Sequence, residues 1–260
     1  MTKIVKLIKL ILRVAVNRSK IRIILRDLRK GLEPVKEDKI HLAATMDWIL
    51  NSRKGSKSGG SSGMYTFHSG WREPYPETTG YIIPTLLDYS EISSDKKYLE
   101  IATEFADWEC EIQLENGAIR GGVGINDYPI VFNTGQVMIG WMAQYKHTGE
   151  NKYLAAAEKA AAWLVENMDE DGKWSKNTYN NIPHAYNVRV TWPLLDVGIT
   201  TKNEVFIAAA RKNIEWVLSN SKENGWIDHM EFETGVDPYT HTIAYTLRGL
   251  LECSLLLDDD

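Results

Sequence analysis

The chain reads as an all-α protein built from repeated helical hairpins arranged in two concentric layers. Three observations lead there. Trp108, Trp163 and Trp216 lie 55 and 53 residues apart, each preceded ten residues earlier by an aromatic (Tyr98, Tyr153, Phe206) and followed nine later by a glycine (Gly117, Gly172, Gly225). A fixed period of this size means one supersecondary unit copied along the chain, each copy burying its apolar face against its neighbours. Within a copy, residues such as Tyr98, Ile101, Ala102, Phe105, Trp108 and Ile112 keep helical spacing and define one buried stripe. The segments between these amphipathic helices are apolar around most of their circumference, as in Val137-Met138-Ile139-Gly140-Trp141-Met142, which suits helices covered on several sides.

In chain order, residues 1–31 come first as a basic arm. Ten Lys or Arg stand there against Asp27 alone, so the remaining residues sum to −14 of the overall −5. Ile4, Leu7, Ile8, Ile11 and Leu12 form a helical stripe, but Lys6, Lys9 and Arg13 interrupt it too often for a spanning helix or a secretory signal. Two readings stay open: a helix lying on an anionic leaflet, or one packed on the helical ring with its charges solvated. Residues 54–63, Lys-Gly-Ser-Lys-Ser-Gly-Gly-Ser-Ser-Gly, are expected to be a flexible loop. A second domain, 38–260, then holds the repeats, with inner helices over about 80–91, 133–147, 187–198 and 241–257 and short polar turns within each hairpin. The two cysteines, Cys110 and Cys253, have neither disulfide nor metal spacing. They fit a reducing compartment, hence a cytoplasmic protein, peripheral on the inner membrane face if the arm binds lipid.

The connections between hairpins are long, and long connections carry function. All of them open on one rim, where their polar and aromatic residues converge: His68, Trp71, Arg72, Tyr75 and Glu77, then Asp127 and Asn133, then His184, Tyr186, Asn187 and Arg189, then Asp237, Tyr239, His241 and Tyr245. Flat rings among directional hydrogen-bonding groups suit a sugar. Glu77 follows Pro76 at the start of an inner helix, with Thr78 or Thr79 as its cap, and a carboxyl pressed among aromatics is a candidate general acid. Its structural alternative is a helix cap. Asp127 and Asp237 are candidate second carboxylates, His241 and His184 candidate acids, bases or hydroxyl ligands, and Arg189 a candidate partner for a uronate or for an internal salt bridge. Asp127 and Asp237 also suit turns, and a lone histidine is commonly structural.

No Gly-x-Gly-x-x-Gly follows a strand, no Gly-x-x-x-x-Gly-Lys occurs and no His-Glu-x-x-His exists. Asp228-His229 and His241 lack a third metal ligand. The reading therefore includes no cofactor, no metal and no nucleic-acid partner.

Apolar inner and amphipathic outer helices with Trp-x8-Gly at each outer end resemble the (α/α) toroids of six-hairpin glycosidases, terpenoid cyclases and prenyltransferases. Gln113-Leu-Glu-Asn116-Gly117 and Asp171-Gly172-Lys173-Trp174 are similar to the Gln-x-x-Asp-Gly-x-Trp repeats of the latter. Gly70-Trp71 with Tyr75-Pro76-Glu77-Thr78-Thr79-Gly80-Tyr81-Ile82-Ile83-Pro84-Thr85 resembles poorly characterised toroid proteins encoded with exopolysaccharide genes. The resemblance covers about residues 40–257. It implies a polysaccharide or lipid-linked sugar partner, with three functions to weigh: a hydrolase, lyase or epimerase-like activity at the toroid funnel, a non-catalytic glycan-binding or scaffold role, or a prenyltransferase-like one. The last lacks an Asp-x-Asp-Asp inside the ring. Two carboxyl groups converging within about 5 to 10 Å would favour glycosidase chemistry; aromatics without them would favour binding. The toroid is expected to be incomplete, since 241–257 has no outer partner, and this edge should self-associate or be closed by the N-terminal helices.

Overall fold

The computed structural model describes residues 21–23, 25–26, 35–56, 59–67, 69–124 and 126–258. Most of the basic arm therefore lies outside the described residues, and so does His68. Among the described residues no helix is long and apolar enough to cross a membrane. The chain divides into two compact units, Met1–Pro74 and Tyr75–Asp260.

In the first unit, helix α1 (Asp38–Gly55) is followed by a two-stranded antiparallel hairpin, β1 (Tyr65–Thr66) and β2 (Gly70–Trp71). Trp71 packs on Trp48 at 4.7 Å between centroids and on Tyr65 at 5.1 Å. A Cβ on Gly55 would fall 2.3 Å from Trp71 Cγ, so the end of α1 is fitted to that ring. The segment expected to be a flexible loop is partly structural: helix α1 extends into it, Ser61 and Ser62 are buried, and Ser52 and Ser61 share a 2.6 Å hydrogen bond.

The second unit is an arc of helical hairpins. Four inner helices, α2 (Pro76–Ser93), α4 (Val131–Thr148), α6 (Val188–Thr201) and α8 (Thr240–Leu257), pack side by side, and α3 (Lys97–Ile112), α5 (Asn151–Glu166) and α7 (Glu204–Ser219) back them. Helix α5 buries one stripe, whereas α4 is buried nearly all round. The inner helices approach to backbone distance through glycine: a Cβ on Gly140 would sit 2.4 Å from the Gly80 carbonyl oxygen, one on Gly135 2.7 Å from Val190 Cα, and one on Gly249 2.6 Å from the Val188 carbonyl carbon.

The repeated landmarks have a mechanical meaning. Gly117 and Gly172 adopt φ of +93° and +91° just after α3 and α5, a conformation glycine reaches without strain, and each lies against the next outer helix. A Cβ would meet the Lys159 carbonyl oxygen at 2.4 Å in the first case and the Lys212 oxygen at 2.4 Å in the second. Side chains close the same joints: Gln113 Nε2 donates to the Gly117 and Ala156 carbonyls, and Asn213 Nδ2 to the Gly172 carbonyl. Gly225 repeats the conformation at φ +81° but has no atom within 4 Å of its Cβ position. On α8, Leu247, Leu251 and Leu255 are 56%, 57% and 69% exposed, so the apolar edge expected of 241–257 is present.

Candidate functional site

The N-terminal ends of the four inner helices converge on one cavity of about 390 Å³. Helix α2 contributes Glu77, preceded by Tyr75; α4 contributes Phe132 and Asn133; a 3-10 turn at Ala185–Asn187 contributes Tyr186; and α8 contributes His241, Thr242 and Tyr245. The connections complete the wall with Gly122, Tyr128, Ile130, Tyr179 and Phe232. Seven of these side chains are Tyr or Phe, and Glu77 is the single carboxyl.

Pro76 occupies the first turn of α2, where its missing N–H costs nothing, and holds Glu77 at the helix mouth. No side chain caps this helix: Thr78 and Thr79 donate to the Tyr75 carbonyl at 3.2 and 2.9 Å. Glu77 is not a cap either. Its Oε2 accepts the Tyr75 hydroxyl proton. Burial pushes the Glu77 carboxyl above the usual glutamate range, partly offset by the Tyr75 hydrogen bond and by the field of Arg189. Burial, followed by the charge of Glu77, raises the pKa of Tyr75, Tyr81 and Tyr186, which stay neutral donors.

Arg189 lies one turn deeper. Its Nε donates to Gln136 Oε1 at 2.7 Å and its guanidinium stands 4.8 Å from the Tyr245 ring centroid, so the arginine is spent on a side-chain amide and a ring rather than on a salt bridge. Beyond this layer a second cavity of about 270 Å³ lies between the same helices, lined by Pro84, Ile139, Met142, Trp192, Asp196 and Glu252 among others. There Lys146 pairs with Asp196 at 2.7 Å.

Of the residues expected on the rim, Tyr75, Glu77, Asn133, Tyr186, His241 and Tyr245 meet on the cavity, though Asn133 Nδ2 is committed to the Arg120 carbonyl at 2.8 Å. Tyr239 stands outside, 58% exposed and stacked on His241 at 5.7 Å. Asn187 is buried, with its Nδ2 unpartnered. His184 is a buried cross-link: its Nδ1 and Nε2 each lie 2.8 Å from a backbone carbonyl, of Glu231 and Tyr179, the neighbours or members of the two wall loops. Desolvation lowers its pKa against the pull of those carbonyls. Asp127 points to solvent with its side chain 94% exposed and pairs with Arg120, and Asp237 lies in the exposed connection just before α8. Neither carboxyl lines the cavity. Trp71 and Arg72 fall in the first unit.

Sequence reasoning left out Phe132, Tyr179 and Phe232. The repeat itself holds the missing signal: Tyr179 and Phe232 are 53 residues apart, as are Tyr186 and Tyr239 and the landmark pair Trp163 and Trp216. Rim positions recur with the same period as the scaffold.

The helical hairpins, inner helices backed by outer ones, are those of an (α/α) toroid fold. Solved structures share it. A family 76 glycoside hydrolase α-mannanase of Bacteroides thetaiotaomicron superposes with a TM-score of 0.59 at 18% identity over 85% of this chain and 65% of its own. A family 76 mannosidase of the same organism gives 0.57 at 16% identity over 90% and 68%. A Listeria innocua protein gives 0.54 at 18% over 70% and 56%, so the chain spans little more than half the length of that structure. At such identities the likeness is one of fold. No family model and no curated protein sequence matches the chain.

Proposed function

We propose that the toroid binds a glycan residue in the rim cavity as a component of polysaccharide synthesis or processing. The observation that carries this reading is the cavity wall itself: seven aromatic rings, several hydroxyls and one carboxyl, with no second carboxyl on the lining. A glycosidase needs two carboxyl groups flanking the bond, about 5 to 10 Å apart. Rings that stack on sugar faces, with a few directional polar groups, are what recognition requires. Calorimetric titration with a panel of acidic, neutral and amine-bearing oligosaccharides tests it. Binding that weakens when Tyr186 and Phe132 are replaced by Ala is expected; an inert protein across the panel would reject the reading.

A second reading rests on the Glu77 carboxyl being raised above the usual glutamate range by burial and hydrogen-bonded to Tyr75, which suits a general acid in a lyase or epimerase-like step. Here Glu77→Gln should lower turnover by roughly 10²–10⁴ beyond any change in affinity. Absence of turnover in the unmodified protein leaves recognition as the function. Residues 1–31 are assigned to an anionic leaflet: sedimentation with acidic liposomes should fall with salt and vanish when they are removed.

A further inference from the structure

Glu77 is a carboxyl with an unusual surrounding. The carboxyl is held by one hydroxyl, that of Tyr75, and shares its cavity with Phe132, Tyr186, Phe232 and Tyr245. Arg189, the one cation among the described residues whose field reaches Glu77, is engaged by Gln136 and stacked on Tyr245, and forms no ion pair with it. An ionised carboxylate in such a place is partly desolvated and has no ion-pair partner among the described residues, a cost that a proton or a cation brought from outside offsets. Aromatic rings, negative over their faces, favour the second remedy: several rings around one carboxylate are the arrangement that binds an ammonium group. A neutral hydroxyl would use the carboxylate as an acceptor but leave its charge unmatched.

We infer that the rim cavity selects a sugar bearing a free amine, a 2-amino-2-deoxy hexose or similar unit, whose ammonium group pairs with Glu77 inside the aromatic wall while its ring stacks on that wall. The inference rests on the glycan reading above and names the sugar class. The group on the nitrogen decides the outcome: N-acetylation removes the charge and leaves Glu77 without its partner. Protons should compete with the ligand. Glu77, held above the usual glutamate range by desolvation, must ionise to bind, so affinity falls as pH drops. His241 stands on the same wall, Arg189 stays charged throughout, and Tyr75, Tyr81, Tyr186 and Tyr245 remain neutral.

The test is titration of the unmodified protein with glucosamine oligomers, with the same oligomers fully N-acetylated, and with tetramethylammonium, at a pH where the free amines are charged. The free-amine oligomers should bind about tenfold or more tightly than the acetylated ones, the usual worth of a hydrogen bond to a charged partner. Glu77→Gln should erase that preference, and tetramethylammonium should compete with the free-amine oligomers for the unmodified protein. Acetylated oligomers binding as well as, or better than, free-amine ones would overturn the amine inference and leave the glycan reading standing. Tetramethylammonium binding without either oligomer would keep the cation pocket and remove the glycan. Binding of none of the three would overturn both.

Discussion

The outer turns of the arc and its rim are made by the same repeat and treat it differently. At the outer turns the copies agree: Gly117, Gly172 and Gly225 share a left-handed conformation and follow a tryptophan at the same distance. At the rim the copies diverge, with Glu77, Asn133, Tyr186 and His241 standing near equivalent helix mouths. Agreement marks what each joint needs, a tight turn, which at Gly117 and Gly172 is set against the next outer helix. Divergence marks what only one place needs, a surface fitted to something else.

The most damaging way to probe the joints is to add one methyl group. Gly117→Ala and Gly172→Ala each force a Cβ into a backbone carbonyl at 2.4 Å while straining φ. We expect a loss of roughly 3–5 kcal/mol in each, read as a fall in the denaturation midpoint. If either variant melts like the parent, the joints are not where the arc is held.

Glu109 sharpens the comparison from the other side, because it breaks the repeat inside the wall. It follows Trp108 as Leu164 follows Trp163 and Val217 follows Trp216. It is fully buried, both carboxyl oxygens lack partners, and desolvation alone holds its pKa well above the usual glutamate range. Glu109→Leu should therefore stabilise the fold at neutral pH by about 1–3 kcal/mol, the cost of an unsatisfied buried polar group. The sign with pH follows. The folded form keeps this proton to a higher pH than the unfolded chain does, so its contribution is intact at acidic pH and lost as pH rises toward the raised value. Chemical denaturation across pH should show that decline in the parent and a flatter profile in Glu109→Leu. An unstabilised variant with an unchanged profile would mean that Glu109 has a partner in solution.

Gly225→Ala is the internal control for the joints: it carries the strained φ without the collision, and about 1–2 kcal/mol is expected. The smallest effect on stability belongs to the rim. Glu77→Gln keeps an acceptor for the Tyr75 hydroxyl and should move the stability by less than about 1 kcal/mol. A large loss there would return Glu77 to a structural role.

What was legible in the sequence follows the same division. Periodicity located all four inner helices within a few residues, since burial on several sides and the repeated Trp-x8-Gly turn are written in composition and spacing. The rim was legible where an aromatic or acidic residue abuts an inner helix, as with Tyr75, Glu77, Tyr186 and Tyr245. It was not legible where a loop folds back: the reach of Tyr179 and Phe232 into the cavity depends on the His184 cross-link between their loops. Asp127 went the opposite way: it pairs with Arg120, which bridges to Pro129, and its side chain faces solvent. Three-dimensional partners decided both cases.

The pair Arg189 and Gln136, with Tyr81 beside it, stands along the inner helices between the residues that line the cavity of about 390 Å³ and those that line the cavity of about 270 Å³. On the proposed glycan reading, a sugar chain held at Glu77 leaves the rim past Tyr128 and Tyr239, which stand 51% and 58% exposed. Affinity should then rise with oligomer length only until those two tyrosines are covered, and level off beyond, as it does for a socket that reads a short stretch of chain.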